Sequence, residues 1–400
     1  MSRRSAVILF LLGFQAACGP GEGRESVVSV RDSAGVRIVE YRSFPEDLPL
    51  LQWDSSRIVH FDGNATGLGI FWVSGAFRGP GGSVVVGDGG NHRILRFRAD
   101  GTLLSSTGRQ GEGPGEFGHL SLLTPWRSDS LLAWDSSLRR LSVFSSTGEF
   151  ARSFSLERND SIGIVFVQAA FVDGPILATG FMDTGGAVTS GLHRYPSPMY
   201  FFNPDGSLRV GLGMVPGAEQ YYEATGSRFR SEPPPFGRTT EKVLSGDHLV
   251  LASNDSYEVV FLSWAGDPTQ RIRCLAPPTP VTPSIRDQAK EAMLDQVTDP
   301  GAREELETML ARMPIAETLP AYGRVFGDRV GRLWLEEYVV GTPTHTEWRV
   351  FSQDGLALFS VDLPTRFQPT DAGSGYLIGV LKSELDVEGV ILAPLATSPD

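Results

Sequence analysis

The chain has 400 residues, a formal net charge of −12, 41% hydrophobic residues and 20% charged residues. This apolar content allows a large buried core and excludes a disordered chain. The acidic balance, without a run of Lys or Arg, argues against nucleic acid as a partner, because phosphate binding depends on clustered basic side chains.

The first 17 residues are typical of an export signal. Arg3 and Arg4 precede an apolar run over 6–14, which is about half of the roughly 20 residues that a membrane-spanning helix needs. Small residues stand directly before Cys18, and this pattern resembles the lipobox of bacterial lipoproteins. The resemblance implies a protein held on the membrane only by a lipid at Cys18, facing the periplasm or the cell surface. Gln15 stands where the lipobox usually has Leu, so ordinary cleavage without lipidation is the alternative.

A repeat with an offset of 47 residues follows a predicted linker over 18–35. Residues 83–101 align without a gap on 130–148. Each copy indicates a strand, a polar turn opened by Asp, a second strand and a turn closed by Gly. Five positions are identical, since Ser83, Asp88, Arg93, Phe97 and Gly101 match Ser130, Asp135, Arg140, Phe144 and Gly148. An Asp at this place predicts a turn cap, because its side chain accepts backbone hydrogen bonds.

The closing turn recurs at Gly206, Gly266 and Gly355, each four residues after an aromatic or apolar residue. Glycine suits a hairpin turn that needs a positive φ. We predict strands before these turns at 84–86, 131–134, 176–179, 249–252 and 333–335, and a sixth unit from 376–381 and 387–395. Four short antiparallel strands in roughly 40 to 50 residues are typical of a propeller blade.

Six such units predict an all-β fold, a six-bladed β-propeller over 36–396. A sixth blade that ends near residue 395 would leave an open sheet edge, which proteins avoid. Either 36–41 or 57–61 could supply the strand that closes it. A β-sandwich is the alternative fold, but it gives no reason for a fixed repeat.

Two segments of the first unit carry a family resemblance. Residues 88–94, DGGNHRI, resemble the core of NHL repeats, and residues 108–117, GRQGEGPGEF, resemble the linker between two NHL blades. The match is strong over 82–117 and weak beyond residue 206. As a whole the chain resembles exported bacterial six-bladed propellers of the NHL or TolB-like type. The resemblance implies a shared scaffold and no particular chemistry.

A helical insertion is predicted at 277–319, between blades 4 and 5. Four prolines precede the first helix. Ser284, with an Asp three residues later, predicts the start of this helix, which we expect to end near residue 297. Asp299 predicts the start of a second helix. An apolar stripe on the second helix consists of Leu306, Met309, Leu310 and Met313. We expect the hairpin to pack on the propeller's own face or side. A lid over the central channel or a docking surface is the alternative.

Residues with catalytic chemistry form no recognised motif. The sequence has neither a serine-hydrolase elbow nor a phosphate loop, and Cys274 has no identifiable base. Six histidines lie without metal-ligand spacing: His60, His92, His119, His193, His248 and His345. Three aspartates near glycines are interpreted as turn caps: Asp173, Asp247 and Asp328. Aromatic residues around the third blade either stack on sugars or fill the space between blades: Tyr195, Tyr200, Phe201, Tyr221 and Tyr222.

We therefore assign no catalytic, cofactor-binding or metal-binding residues and no cofactor. The favoured hypothesis is a non-catalytic binding propeller of the cell envelope that recognises a protein, a peptide or a glycan. The alternative is a metal-dependent hydrolase or lyase of the six-bladed type, with Ca or Zn held in the central channel by residues of the inner strands.

Overall fold

The protein is nearly all β. The computed structural model describes residues 27–62, 69–127, 129–159, 162–180, 189–225 and 228–397, and in these ranges it contains thirty strands and two α-helices. Neither α-helix of the described ranges is long and apolar enough to cross a bilayer.

Four short strands come first, before the repeat units: β1 (Val28–Ser33), β2 (Val36–Tyr41), β3 (Leu50–Trp53) and β4 (Val59–Phe61). The first antiparallel group then comprises β5 (Val73–Arg78), β6 (Val84–Asp88), β7 (Arg93–Phe97) and β8 (Leu103–Thr107). The second comprises β9 (Leu120–Trp126), β10 (Ser130–Asp135), β11 (Arg140–Ser145) and β12 (Phe150–Phe154).

The third group is interrupted by a separate small sheet. The group comprises β13 (Val165–Ala170), β14 (Ile176–Gly180), β16 (Ser197–Phe202) and β17 (Leu208–Val215). The small sheet comprises β15 (Gly191–His193), β18 (Gln220–Thr225) and β19 (Arg228–Glu232). The fourth group comprises β20 (Thr240–Ser245), β21 (His248–Ser253), β22 (Glu258–Leu262) and β23 (Pro268–Cys274).

Two helices separate the fourth group from the fifth in the chain: α1 (Pro283–Asp295) and α2 (Pro300–Arg312). The fifth group comprises β24 (Val325–Gly327), β25 (Leu333–Glu336), β26 (His345–Phe351) and β27 (Ala357–Pro364). The sixth comprises β28 (Phe367–Gly373), β29 (Tyr376–Lys382) and β30 (Glu388–Thr397), with β4 as its fourth strand.

The second strand of a group is apolar on both of its faces because it is covered on both sides. All five residues of β6 are buried. Val84 and Val86 belong to a cluster shared with the sixth group, whereas Val85, whose side chain points the other way, belongs to a cluster shared with the second group. Among the described residues, six hydrophobic clusters of this kind lie between consecutive groups, and one of them links the sixth group back to the first.

The closing turns follow the predicted glycine chemistry. The five glycines at 101, 148, 206, 266 and 355 all have positive φ, between 80° and 93°. Each of the five turns joins the third strand of its group to the fourth, and in the second group the amide of Gly148 donates to the carbonyl of Ser145 at 2.9 Å. These values confirm the predicted turns. The turns could be predicted because they depend on local backbone sterics.

The strand at 59–61 lies where the second of the two predicted closing segments was expected. β4 pairs antiparallel with β30, with Phe61 opposite Val390. The other candidate, β2, pairs instead in parallel with β23 at the outer edge of the fourth group, and β1 pairs on its far side. The segment 18–35 therefore differs from the predicted linker, since its described part contains β1. β3 lies between β27 and β30 and joins the fifth and sixth groups into one sheet.

The helical hairpin packs against the small sheet of β15, β18 and β19. Its predicted stripe of Leu306, Met309, Leu310 and Met313 is buried against Tyr221 of β18. The start of α1 differs from the prediction at Ser284, because the hydroxyl of Thr282 accepts the amide of Ile285 at 3.3 Å and so caps the helix two residues earlier. The predicted cap of α2 is confirmed, since the carboxylate of Asp299 accepts the amide of Ala302 at 2.8 Å.

Candidate functional site

A central channel lies where the first strands of the six groups meet. Its cavity has a volume of about 420 Å³, and all six strands contribute to its wall. One residue from each strand illustrates this lining: Ser74, Leu122, Gln168, Lys242, Phe326 and Thr370.

Glycines let neighbouring first strands approach closely around the channel. A Cβ on Gly75 of β5 would lie 2.0 Å from the carbonyl oxygen of Leu123 on β9. A Cβ on Gly327 of β24 would lie 2.0 Å from the carbonyl oxygen of Leu244 on β20. Any side chain at these two positions would push the strands apart, so the width of the channel depends on them.

One buried ion pair in the channel wall connects three groups. Asp371 of β28 is 2% exposed, and its carboxylate accepts from Nε of Arg329 at 2.9 Å and from Nη2 at 2.7 Å. It also accepts the amide of Arg78, the last residue of β5, at 2.8 Å. Arg329 follows β24, so this network fastens the fifth, sixth and first groups together.

The other buried carboxylate of the lining belongs to Asp328, and it is also occupied. It accepts from the backbone amides of Val330 and Arg332, from Nε of Arg332 at 2.6 Å and from the indole of Trp334 at 3.1 Å. The turn-cap prediction for Asp328 is thus confirmed. Asp173 and Asp247 line the channel as exposed side chains.

The described carboxylates of the lining form no group that could hold calcium or zinc. The two buried carboxylates of the lining, Asp328 and Asp371, are each bound by an arginine. In the part of the chain that the structure describes, no three His, Cys, Asp or Glu side chains are grouped so that they could hold a metal ion. A hard cation needs several oxygen ligands at one point, and the exposed carboxylates of Asp173 and Asp247 in the lining belong to no such group.

Lys242 differs from Arg329, the other cationic residue of the described channel wall, because Arg329 is paired with Asp371. Lys242 lies on β20 opposite Leu251 and is half-buried. Burial lowers the pKa of its ammonium group, and the neighbouring Glu241 opposes that change only in part. Among the described residues Lys242 has no hydrogen-bond or ion-pair partner. Glu241, its neighbour in the chain, follows the strand alternation and points to the other face.

Asp135 caps the turn that follows it, as predicted, whereas Asp88 makes no cap hydrogen bond to its own turn. Both aspartates hold the segment that precedes their own group. Asp135 accepts the amides of Gly118, His119 and Leu138 at 2.7, 3.1 and 2.9 Å. Asp88 accepts the amide of Phe71 at 3.0 Å. Each carboxylate therefore fixes the entry to the first strand of its group.

The arginines of the repeat have different roles in the two copies. Arg93 pairs with Asp88 at 2.7 Å. Arg140 instead donates to the carbonyls of Glu112, Gly113 and Glu116, in the segment that resembles an NHL linker. Sequence identity between the copies did not reveal this difference, because the partner is supplied by a connecting loop.

The remaining predicted residues do not assemble into one site. Cys18 lies outside the described residues. Cys274 is a free thiol whose pKa is raised by burial. His193 stacks on Tyr195 with ring centroids 5.2 Å apart, and His119 meets Trp72 edge-on at 5.2 Å.

The aromatic residues around the third group divide between the two predicted roles. Phe201 and Tyr200 pack between strand groups, and Tyr221 covers the helical hairpin. Tyr195 and Tyr222 are half-buried neighbours with ring centroids 5.9 Å apart. Filling of space therefore accounts for the first three residues.

Sequence reasoning missed Lys242 and the pair of Arg329 with Asp371. A signal for Lys242 was available, since the chain has 35 basic residues and lysine occurs only at 242, 290 and 382. No sequence signal pairs Arg329 with Asp371, because they come from different groups and meet only when the groups are assembled.

No family model matches the chain, and no curated protein matches it. Among solved structures, a candidate exported protein of Bacteroides fragilis is 11% identical, with 90% of this chain and 100% of that chain covered and a TM-score of 0.49. A member of the DUF4221 family from Bacteroides vulgatus is 12% identical, with 86% and 98% covered and a TM-score of 0.42. Virginiamycin B lyase from Staphylococcus aureus is 11% identical, with 85% and 99% covered and a TM-score of 0.39. Likeness at this level assigns no activity to this chain.

Proposed function

We propose that the protein is an exported, non-catalytic binding protein whose six strand groups are the blades of a β-propeller with the helical hairpin inserted between blades 4 and 5. The clusters that link each group to the next, and the sixth to the first, support a propeller over a sandwich. The observation that carries the binding function is the channel of about 420 Å³ lined by the first strands of all six groups.

The ligand class that we propose is a protein segment, a peptide or a glycan. A cavity of about 420 Å³ lies within the volume range of protein ligand pockets. The two buried carboxylates of the lining are held by arginines, so they shape the wall rather than face a substrate. The alternative, a metal-dependent hydrolase or lyase, needs a group of metal ligands, and the described residues contain no group of three His, Cys, Asp or Glu side chains that could hold a metal ion.

We further propose that Cys18 is lipidated and holds the propeller on the membrane at the periplasmic or outer face. The support is the export signal and the small residues before Cys18. Expression of the full chain and of Cys18→Ser in a bacterial host tests this. The wild type should enter the membrane fraction and incorporate labelled palmitate, whereas an equal distribution and an absence of label in both would refute lipidation.

Binding is tested with a variant that fills the channel. Gln168 is an exposed residue of β13 in the channel wall, so Gln168→Trp should weaken binding of any channel ligand at least tenfold. Gln288→Trp, at an exposed position of α1, is the matched control. Both variants and the wild type would be titrated against peptides and glycans that an array screen selects.

Two outcomes would overturn the proposal. One is that the selected ligands bind Gln168→Trp and Gln288→Trp equally well, which would place their site elsewhere. The other is that the purified protein contains stoichiometric calcium or zinc and cleaves a substrate, which would favour the enzyme.

A further inference from the structure

Among the described lining residues, one cationic side chain, that of Lys242, has no hydrogen-bond or ion-pair partner, and the exposed carboxylates of Asp173 and Asp247 form no ion pair with it. Lys242 and Arg329 are the only cationic residues among the described lining residues. Arg329 is bound to Asp371 at 2.7 Å. Lys242 has no partner in the described part of the chain, so its ammonium group is the one positive charge available to a ligand in the channel.

A half-buried ammonium group without a counter-ion is unfavourable. It loses part of its hydration, and no described residue of the wall replaces the lost hydrogen bonds. Glu241 compensates only in part, because it points away from the face on which Lys242 lies. An anionic group placed beside Lys242 would restore the lost interactions, and its charge would act strongly in a partly desolvated cavity.

The single charge of Lys242 fits a monoanion. Phosphate groups are more often held by several cations or by the fork of an arginine, and here the one arginine of the described lining is already occupied. A carboxylate needs only one such partner. We propose that Lys242 is the anion-binding group of the channel and that the ligand presents a carboxylate to it.

This inference rests on the proposed binding function and names the chemistry of its ligand. Two sources can supply the carboxylate, an acidic peptide or a glycan that contains uronic acid. Both are compatible with the ligand class proposed above, and they differ only in the chain that carries the carboxylate.

The scarcity of lysine allows a direct test. Reductive methylation with ¹³C-formaldehyde labels Lys242, Lys290 and Lys382 and keeps their positive charge. The labelled methyl groups of the three residues lie in different environments, so each residue gives its own NMR signal. Lys290 lies on α1, and Lys382 lies 3.9 Å from Glu388. These two residues serve as internal controls outside the channel. The probes are tetraglutamate and trigalacturonic acid, with tetraglutamine and galactotriose as neutral counterparts.

We expect an acidic probe to shift the Lys242 signal saturably while its neutral counterpart does not. Lys242→Met should weaken binding of that probe at least tenfold, and Lys290→Met should leave it unchanged. Lys242→Gln, which keeps a polar side chain, guards against a folding defect and should weaken binding to the same extent. A response to tetraglutamate alone identifies a peptide ligand, and a response to trigalacturonic acid alone identifies a glycan.

The inference is overturned if neither acidic probe shifts the Lys242 signal at millimolar concentration. It is also overturned if acidic and neutral probes bind equally well to the wild type and to Lys242→Met. In that second case Gln168→Trp separates the two proposals. If it still weakens binding of the probes, the channel keeps its proposed function and only the role of Lys242 is rejected.

Discussion

Replacing Asp371 by Asn should loosen the connection between the first, fifth and sixth strand groups. The side chain of Asp371 is 1% exposed, and its carboxylate accepts two hydrogen bonds from Arg329, one from the amide of Arg78 and one from the hydroxyl of Tyr376. Hydrogen bonds to a charged group contribute about 1.5–3 kcal/mol each. The guanidinium of Arg329 is 38% exposed and can regain water, so we expect a loss of about 2–3 kcal/mol in the free energy of unfolding.

The measurement is urea unfolding followed by tryptophan fluorescence, extended to a double-mutant cycle with Arg329→Met. The cycle should give a coupling of about 1–3 kcal/mol between the two residues. Glu305→Gln is the control, because the pair of Glu305 with Arg230 is 2.9 Å long but Glu305 is 74% exposed. Its loss should cost less than about 0.5 kcal/mol. If Asp371→Asn lowers the free energy of unfolding no more than Glu305→Gln does, or if the coupling with Arg329 is near zero, the structural role of this ion pair is refuted.

Three further changes test the scaffold by denaturant unfolding. Asp135→Asn should lower the free energy of unfolding by about 2–3 kcal/mol, because an amide cannot accept three backbone N–H groups as the buried carboxylate does; an unchanged stability would contradict the cap. Gly355→Ala should lower the free energy of unfolding more than Gly35→Ala does. Both glycines have a φ of 80°, but only at Gly355 would the new Cβ lie 3.0 Å from two neighbouring side chains. Equal losses would mean that backbone strain of about 1–2 kcal/mol is the whole effect. Burial alone would raise the pKa of Glu336, but hydrogen bonds and charge from Arg324 outweigh it and lower the pKa. The stabilisation is therefore present above roughly pH 4.3 and lost as the pH falls. Below that pH the free energy of unfolding of Glu336→Gln should fall less steeply than that of the wild type. Parallel plots of the free energy of unfolding against pH would contradict the role of the Arg324–Glu336 pair.

The turns and the strands next to them could be predicted because they depend on residues close together in the chain. Gly148 and its equivalents take a positive φ that glycine adopts without steric cost. Asp135 caps the turn that follows it, as its position in the repeat predicted. The N-cap of α1 was placed wrongly because Thr282 and Ser284 are both suitable caps, and the choice between them depends on where the preceding segment enters the helix.

The placement of the N-terminal strands was open because any exposed edge can pair with them. β2 and the segment that contains β4 have equally suitable strand patterns, yet β2 covers β23 and β4 covers β30. Backbone hydrogen bonding does not discriminate between edges, so the choice depends on side chains such as Tyr41, whose hydroxyl donates to the carbonyl of Gly355 at 3.1 Å.

The amino-acid sequence by itself determined the repeat, its turns and the strand content, since each of these rests on interactions within about 50 residues. The tertiary structure alone decided the channel and its charges. Lys242, Arg329 and Asp371 are separated by up to 129 positions, and each lies on or directly after the first strand of a different group. Whether such a charge is paired or free depends on which groups become neighbours, and that is settled only when all six pack together.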